Sequence, residues 1–429
     1  MSTDYYNENL DFLKSHSSFC IYPYIHLEIY NSPNGGLQGS PLCCSANGLD
    51  KWAMTKFNNN DTDARGTNIT GNFHMPKFNS IRDKIGKQNI LPDNCIQQCP
   101  LDKKKTIRTG INNDYLNHIS FKEMVDSPTL IRINWKFGNI CNLACRMCQP
   151  TVSSHFNKVL SASNHINNLK KFQISVSNET TKTNPNDLEK LKLLLPNLQV
   201  LQTSGGEPFL SDDLDELLKT AIKTKDCEHI ELIITTNGTK FIKEKLDIIS
   251  KFKKITLLIS IDGTDDVYNY IRYPFSFKIL KRRLQYLKKY IQERQLENKI
   301  VIQFNPMGML YNLFNYAKLQ ELYNELLPRG GGFNIDFNLT GFFTLNNKNH
   351  HYHILHLKFA PELLIGQALA FYHNHQETQW YKDLEYIYNQ KQDNSYHSLI
   401  KEYTDIFDDM YGQKYYNHLP QEIIKFLNE

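Results

Sequence analysis

Three cysteines lie within eight residues, in the sequence Cys141-Asn-Leu-Ala-Cys145-Arg-Met-Cys148. Their thiolates are soft ligands that suit iron–sulfur clusters, and a loop that leaves a strand can wrap all three around one face of a cubic cluster. Three ligands leave one iron open, and by analogy with zinc an open position indicates catalytic rather than structural use. Taken alone, the spacing also fits a zinc knuckle or a group of buried thiols.

Three further segments each follow a predicted strand: Gly205-Gly206-Glu207-Pro208, Thr235-Thr236-Asn237-Gly238 and Ser260-Ile261-Asp262-Gly263. Glycines allow the backbone to approach a ligand closely, and a carboxylate suits an ammonium group. Because barrel enzymes place their sites at the C-terminal ends of their strands, these segments predict one shared site.

The cysteine spacing, followed by the GGEP and SIDG segments on later strands, resembles the radical S-adenosylmethionine (SAM) enzymes. The resemblance implies a [4Fe–4S] cluster bound by Cys141, Cys145 and Cys148, with SAM as the second cofactor. It assigns SAM contacts to Met147, Ser204, Gly205, Gly206, Glu207, Pro208, Thr236, Asn237, Ser260, Asp262 and Arg272. Met147 stands where the family usually has an aromatic residue, and its polarizable thioether can pack beside the adenine.

The resemblance also implies an activity. A small flavodoxin- or ferredoxin-type donor would supply one electron, SAM would be cleaved, and the 5′-deoxyadenosyl radical would abstract a substrate hydrogen. The expected outcome is oxidation or cross-linking of a peptide or protein. Dehydrogenation or epimerisation of a sugar, an amino-cyclitol or another small metabolite is the alternative, and a non-catalytic iron–sulfur or zinc-binding protein is the second.

A second group of cysteines precedes the triad. Cys43-Cys44 at the end of a predicted hairpin, with Cys95-x3-Cys99 further on, resembles the auxiliary-cluster module called a twitch or half-SPASM domain. The resemblance implies an auxiliary iron–sulfur cluster on these four cysteines. Cys20 is a reserve ligand, because adjacent residues on a strand point to opposite faces. A zinc ribbon or an unmetallated pair is the alternative, and Cys227 is expected to be an ordinary thiol.

The elements that must position these residues alternate between strand and helix from about residue 130. Six short apolar runs predict parallel strands with helical crossovers, near residues 131–137, 198–205, 229–238, 255–263, 299–307 and 333–339. This α/β pattern predicts a partial (β/α)6 barrel, smaller than the eight-stranded form. We expect an auxiliary module over 1–125, the barrel over 126–345, and a C-terminal strand with helices over 346–429.

The composition limits the other classes of function. A net charge of +4 with both signs interspersed gives no support for nucleic acid or anionic lipid as a partner. No apolar run approaches the roughly 18 residues of a membrane span, and the N-terminus lacks a signal-peptide pattern, so we expect a cytoplasmic protein. The segment from His350 to His356 is interpreted as a polar-faced strand rather than a metal site.

Overall fold

The computed structural model of the chain describes residues 5–31, 37–40, 55–56, 69, 73–96, 99, 101, 106–177, 183–326, 332–333, 335–337, 353–390 and 396–429. Its strands are β1 (His26–Asn31), β2 (Leu37–Ser40), β3 (Thr55–Lys56), β4 (Arg132–Lys136), β5 (Val200–Ser204), β6 (Glu231–Thr236), β7 (Lys254–Ile259), β8 (Ile300–Phe304) and β9 (Gly332–Phe333).

The α-helices of these residues fall into three groups along the chain. Before β4 they are α1 (Tyr5–Ser15), α2 (Tyr22–Ile25), α3 (Pro76–Arg82), α4 (Asp93–Ile96), α5 (Ile107–Tyr115) and α6 (Phe121–Asp126). Around the parallel strands they are α7 (Ser154–Ser161), α8 (Ile166–Leu169), α9 (Pro185–Lys192), α10 (Asp212–Thr224), α11 (Lys243–Ile249), α12 (Asp265–Ile271), α13 (Phe277–Glu293) and α14 (Tyr316–Leu326). After the sheet they are α15 (Glu362–Phe371), α16 (Gln379–Tyr388), α17 (His397–Tyr411) and α18 (Gln421–Asn428).

The strands form one sheet in the order β3-β2-β1-β4-β5-β6-β7-β8-β9. All pairs from β4 to β9 are parallel, which confirms the six predicted strands and the α/β partial barrel. The predicted hairpin is also present, since β1 and β2 pair antiparallel from Glu28 opposite Ser40 to Asn31 opposite Leu37.

The sequence predicted β1 as part of the hairpin, but it did not predict that β1 also pairs in parallel with the barrel strands. Strand β1 pairs in parallel with β4, from His26 opposite Arg132 to Tyr30 opposite Lys136, and so extends the barrel sheet to seven parallel strands within the described residues. Side chains of β1 share the core of the barrel. The boundary expected at residue 125 stays a prediction.

The two faces of the parallel sheet differ in polarity, because successive side chains alternate between faces. One face is apolar and buried, with Ile133, Leu201 and Leu257 in the same core as Leu217 of α10 and Leu284 of α13. The other face carries half-buried polar side chains, among them Lys136, Gln202 and Gln303. The crossover helices thus cover one face, and the second face lines the polar lumen of the partial barrel.

Helix α13 shows how its local sequence specifies the covered face. Leu280, Leu284, Leu287 and Ile291 recur at helical spacing and are all buried, while the lysines and arginines between them remain outside the core. The basic run at 281–290 is therefore the solvated face of an amphipathic helix.

The C-terminal helices form a second core, which includes side chains of α7, α12, α15, α16, α17 and α18. The predicted strand is wrong for residues 353–356, which form a turn that leads into a short 3-10 helix at Leu357–Phe359. The physical reason is local, because the Nδ1 atoms of His353 and His356 accept the backbone N–H groups of Leu355 and Lys358. Residues 350–352 lie outside the described residues. In the described part of the chain, no helix has the length and apolar character needed to span a membrane.

Candidate active site

The loop that follows β4 carries the cysteine triad and is held at several points. The backbone N–H of Ala144 donates to the carbonyl of Tyr273 at 2.7 Å, and that of Ser154 donates to the carbonyl of Asn139 at 2.7 Å. The Ser154 hydroxyl also contacts the backbone N–H of Cys141 at 3.1 Å. This loop, residues 138–153, is called the cluster loop below.

Cys145 is buried, and Cys141 and Cys148 are partly buried. Burial raises the pKa of all three thiols, that of Cys148 to about 12. Their mutual electrostatic interactions act in the same direction. The positive charge of Arg272 opposes the increase in pKa at each of them.

The sequence of the triad allows two kinds of metal centre, a zinc knuckle and an iron–sulfur cluster. Within the described ranges, no three His, Cys, Asp or Glu side chains are arranged to hold a single metal ion. Three soft thiolates suit an iron–sulfur cluster, in which each thiolate would bind a different iron.

The GGEP segment packs tightly against the cluster loop. Gly205 and Gly206 have positive φ angles of 87° and 47°, a region that favours glycine. A Cβ atom at Gly206 would lie 2.4 Å from the carbonyl oxygen of Ile140, and the backbone N–H of Glu207 donates to that same oxygen at 2.7 Å. The sequence predicted that these glycines allow the backbone to approach a ligand. In the structure they also allow the end of β5 to approach the cluster loop.

The carboxylate of Glu207 is buried and joins the ends of β5 and β6. One oxygen accepts hydrogen bonds from the Thr236 hydroxyl at 2.6 Å and the Phe209 N–H at 3.2 Å, and the other accepts the Asn237 N–H at 2.7 Å. Burial raises the pKa of Glu207 to about 7, although these donors stabilise the anion. Three of the residues predicted from sequence, Glu207, Thr236 and Asn237, therefore meet in one network.

Asp262 and Arg272 form a second buried network beside the triad. The Arg272 Nε lies 2.5 Å from Oδ2 of Asp262, and its Nη1 lies 3.7 Å from the Sγ of Cys145. The other oxygen of Asp262 accepts the Met307 N–H at 2.8 Å. Burial disfavours the cation, but Asp262 and Cys145 outweigh it and raise the pKa of Arg272 above its usual value.

The remaining predicted contacts lie around these two networks. The Oγ of Ser204 is buried with no hydrogen-bond partner among the described residues, and Ser260 follows β7, with its N–H bonded to the Thr236 carbonyl. Asn237 Nδ2 lies 3.9 Å from the Cys141 Sγ. Met147 packs against the C-terminal core, and Pro208 is buried in a 3-10 turn.

Three of the cysteines that precede the barrel, Cys20, Cys95 and Cys99, lie within the described residues. Cys20 and Cys95 interact electrostatically with each other and with Cys99, and burial raises their pKa values to about 12 and about 11. The backbone N–H of Arg108 donates to the Sγ of Cys99 at 3.3 Å. Cys20, expected only as a reserve, thus interacts electrostatically with Cys95 and Cys99.

The other two predicted auxiliary ligands, Cys43 and Cys44, lie outside the described residues, so the proposed ligand set remains a prediction. Cys227 is buried in the core of the barrel.

The sequence missed an ion pair that is attached to the cluster loop. Arg146 lies between two cysteines of the triad, and its Nη2 is 2.8 Å from Oδ1 of Asp408 on α17. The arginine is visible within the motif, but no sequence signal links it to a residue so much further along the chain. Asn142 is a smaller omission, since its side chain bonds to Asn237 and Thr239.

The sequence model of one family, described as Radical SAM superfamily, matches residues 135–306. This segment is a radical SAM domain. The domain runs from β4 to just beyond β8, and it contains the cysteine triad, the GGEP segment and Arg272. The earlier cysteines and the C-terminal helices lie outside the match. No curated protein matches the chain.

Several solved structures are similar to the chain. Streptococcus suis SuiB bound to S-adenosylmethionine has 15% identity and a TM-score of 0.37, over 72% of this chain and 61% of that one. SuiB bound to precursor peptide SuiA has 14% identity and a TM-score of 0.37, over 70% and 59%. Native anSMEcpe with bound AdoMet has 18% identity and a TM-score of 0.36, over 66% and 67%. The chain thus spans 61% of SuiB, and this likeness assigns it no residue, substrate or partner.

Proposed function

We propose that this protein is a radical SAM enzyme, in which the triad binds a [4Fe–4S] cluster and the adjoining strand ends bind SAM. The observation that carries the proposal is the position of Arg272, which contacts Asp262 and the Sγ of Cys145 within the matched domain. When bound, the cluster and SAM supply a 5′-deoxyadenosyl radical that abstracts hydrogen from an unactivated C–H bond.

The chain's own residues have distinct tasks in this proposal. Cys141, Cys145 and Cys148 would hold the cluster through three thiolates, which would leave one iron available to SAM. Arg272 stabilises negative charge beside Cys145, both on the thiolate and on a carboxylate brought next to it. The hydroxyl of Ser204, which has no hydrogen-bond partner in the described part of the chain, offers a hydrogen-bonding group at the end of β5.

Proton release must accompany cluster assembly at the triad. Burial raises the pKa of each thiol, so the metal-free site holds protonated cysteines at neutral pH. Thiolates are the form that binds iron, and loading therefore displaces these protons. We expect assembly to be faster at pH 8 than at pH 7.

A second cluster is proposed near the N-terminus, with Cys20, Cys95 and Cys99 as ligands together with Cys43 or Cys44. The support is the electrostatic interaction of the first three thiols and their burial. A cluster there would accept an electron from a substrate radical or bind the substrate, as the resemblance implies.

The polar lumen of the barrel supports a polar substrate. Lys136 lies at the C-terminal end of β4, with its Nζ 3.0 Å from the hydroxyl of Tyr30 and 3.8 Å from Glu28. Beside it, Gln202 and Ser204 line the same face of β5. A peptide or protein is our first choice of substrate, oxidised or cross-linked by the enzyme. A sugar or amino-cyclitol is the alternative.

Electron paramagnetic resonance tests the cluster and its open iron together. Protein reconstituted with iron and sulfide without oxygen, then reduced with dithionite, should give a [4Fe–4S]+ signal that changes when SAM is added. Cys145→Ala should remove this signal, while the matched variant Cys227→Ala, which lacks a buried thiol outside the site, should keep it. A wild-type signal that SAM leaves unchanged would contradict the proposal.

The substrate is then sought by isotope transfer. Deuterated peptides, sugars and cyclitols are incubated with enzyme, SAM and reductant, and 5′-deoxyadenosine is examined by mass spectrometry. Deuterium from a peptide would support the first choice. Deuterium from only a small metabolite would replace it with the alternative.

A further inference from the structure

Arg146 lies between the second and third cysteines of the triad, and its guanidinium packs against Tyr270, Phe407 and Tyr411 of the C-terminal core. It is fully buried. Its Nε donates to the carbonyl of Tyr270 at 2.8 Å, and its Nη2 donates to Asp408 at 2.8 Å and to Gln413 at 3.0 Å. A cation is therefore held inside the protein on the residue next to Cys145 in the chain.

Asp408 of α17 supplies the opposite charge and is itself only 2% exposed. Its Oδ1 also accepts the hydroxyl of Tyr270 at 2.7 Å, and its Oδ2 accepts the N–H of Tyr415 at 2.7 Å. The guanidinium lies 3.5 Å from the ring centroid of Tyr270, which adds a cation–π contact. Both charges of the pair are thus hydrogen-bonded and shielded from solvent.

The backbone of Arg146 is held by the same elements. Its N–H donates to the carbonyl of Ile271 at 3.0 Å, and its carbonyl accepts the hydroxyl of Tyr403. Tyr403 and Asp408 both lie on α17, so one helix contacts the backbone and the side chain of this residue. The C-terminal helices are thereby attached to the segment that places Cys145 and Cys148.

A buried ion pair seldom stabilises a fold more than apolar residues of similar volume would. Stability alone therefore does not account for the ion pair. Because Arg146 is next to Cys145 in the cluster loop, the pair can act electrostatically on a bound cluster. Reduction adds an electron to a cluster, so a positive charge nearby favours the reduced form and a negative charge opposes it.

We propose that Asp408 is a positioning residue for the cluster, which fixes the cluster loop through Arg146 and cancels the charge that Arg146 carries next to Cys145. This inference rests on the proposed function in one respect, that the triad binds a [4Fe–4S] cluster. With the pair intact, the cluster experiences little net charge from it. With Asp408 neutralised, Arg146 remains as an uncompensated cation, and the cluster becomes easier to reduce.

The test compares three variants and one control by redox titration, followed by electron paramagnetic resonance. Asp408→Asn removes the negative charge, Arg146→Gln removes the positive charge, and the double variant removes both. Asp405→Asn is the matched control, because it removes the same charge from an exposed position of α17, where Asp405 pairs with Lys401.

At a fixed potential, Asp408→Asn should raise the ratio of reduced to oxidised cluster about tenfold. A tenfold change corresponds to 59 mV for one electron. Arg146→Gln should lower the ratio, the double variant should return it to within about threefold of wild type, and Asp405→Asn should change it by less than about twofold. This sign pattern follows from charge and not from loss of packing.

The outcomes separate this inference from the proposed function. A wild-type triad with no reducible cluster would contradict the proposed function. A wild-type cluster with an unchanged ratio in Asp408→Asn would contradict the role of Asp408, even if the metal-free variant melts at a lower temperature. If Asp408→Asn does not fold, Arg146→Gln and the double variant decide, and a ratio in Arg146→Gln no lower than wild type overturns the proposal.

Discussion

The Nε of Arg272 lies 2.5 Å from Oδ2 of Asp262, in an ion pair buried between the end of β7 and the cysteine triad. Asp262 follows the strand and Arg272 follows α12, so the pair fixes this helix relative to the sheet. Because the Nη1 of Arg272 also contacts the Sγ of Cys145, the same guanidinium connects the sheet with the cluster loop.

Asp262→Asn should lower the free energy of unfolding of the metal-free protein by about 3 kcal/mol, because it leaves the Arg272 cation buried without its partner. Urea unfolding measures this change. Glu189→Gln is the control, since Glu189 pairs with Lys192 at an exposed position and should cost at most about 1 kcal/mol. Equal effects of the two variants would show that the buried pair has no special importance.

Gly206→Ala should destabilise the protein by about 2 kcal/mol and reduce iron loading, because the new Cβ would meet the backbone of Ile140 at a positive φ. Gly110→Ala is the matched variant. Gly110 lies within α5 with no atom within 4 Å of an added Cβ, so alanine should stabilise there by about 0.5–1 kcal/mol. Unfolding curves and iron assays measure both variants. If Gly206→Ala keeps the free energy of unfolding and the iron content of the wild type, the tight approach of β5 to the cluster loop is wrong.

His353 should make the fold sensitive to acid. Burial lowers its pKa to about 3, so at pH 5 the unfolded chain binds a proton at this residue that the folded chain does not. Above pH 6.5 the imidazole is neutral in both states and does not reduce the free energy of unfolding. Between pH 7 and pH 5 the free energy of unfolding falls by about 2 kcal/mol, because the unfolded chain takes up the proton. His353→Asn should remove this part of the pH dependence in urea unfolding, and the exposed His373→Asn should not. If the free energy of unfolding of His353→Asn depends on pH as steeply as that of the wild type, the conclusion that the imidazole is buried and neutral is wrong.

Cys20→Ala should remove about four irons per chain if Cys20 is a ligand of an auxiliary [4Fe–4S] cluster. The signal of the triad cluster should remain, because Cys20 does not belong to that site. Iron analysis and electron paramagnetic resonance of the reconstituted variant give both readouts, with Cys227→Ala as control. Unchanged iron in Cys20→Ala, Cys95→Ala and Cys99→Ala would exclude the auxiliary cluster.

The strands and motifs of the barrel were predictable because each is a local pattern. The runs that became β4 to β8 are apolar, and the polar segments at Glu207, Thr236 and Asp262 come directly after three of them. Parallel strands bring their C-terminal ends to one edge, so adjacency of these residues follows from the fold.

The parts that could not be predicted depend on contacts between distant segments. Strand β1 reads as half of a hairpin, and nothing in its sequence indicates the parallel pairing with β4. The pairing of Arg146 with Asp408 depends on how the C-terminal helices pack on the cluster loop. The turn at His353 arises because imidazole nitrogens accept backbone N–H groups, which a strand pattern cannot reveal.

The most direct measurement of the central claim is the release of 5′-deoxyadenosine. Reconstituted protein, SAM and dithionite are incubated without oxygen, and the nucleoside is quantified by liquid chromatography and mass spectrometry, with Cys145→Ala and Cys227→Ala in parallel. The account predicts 5′-deoxyadenosine from the wild type and from Cys227→Ala, and none above background from Cys145→Ala. Absence of the product from wild-type protein whose triad cluster is present and reduced would contradict it.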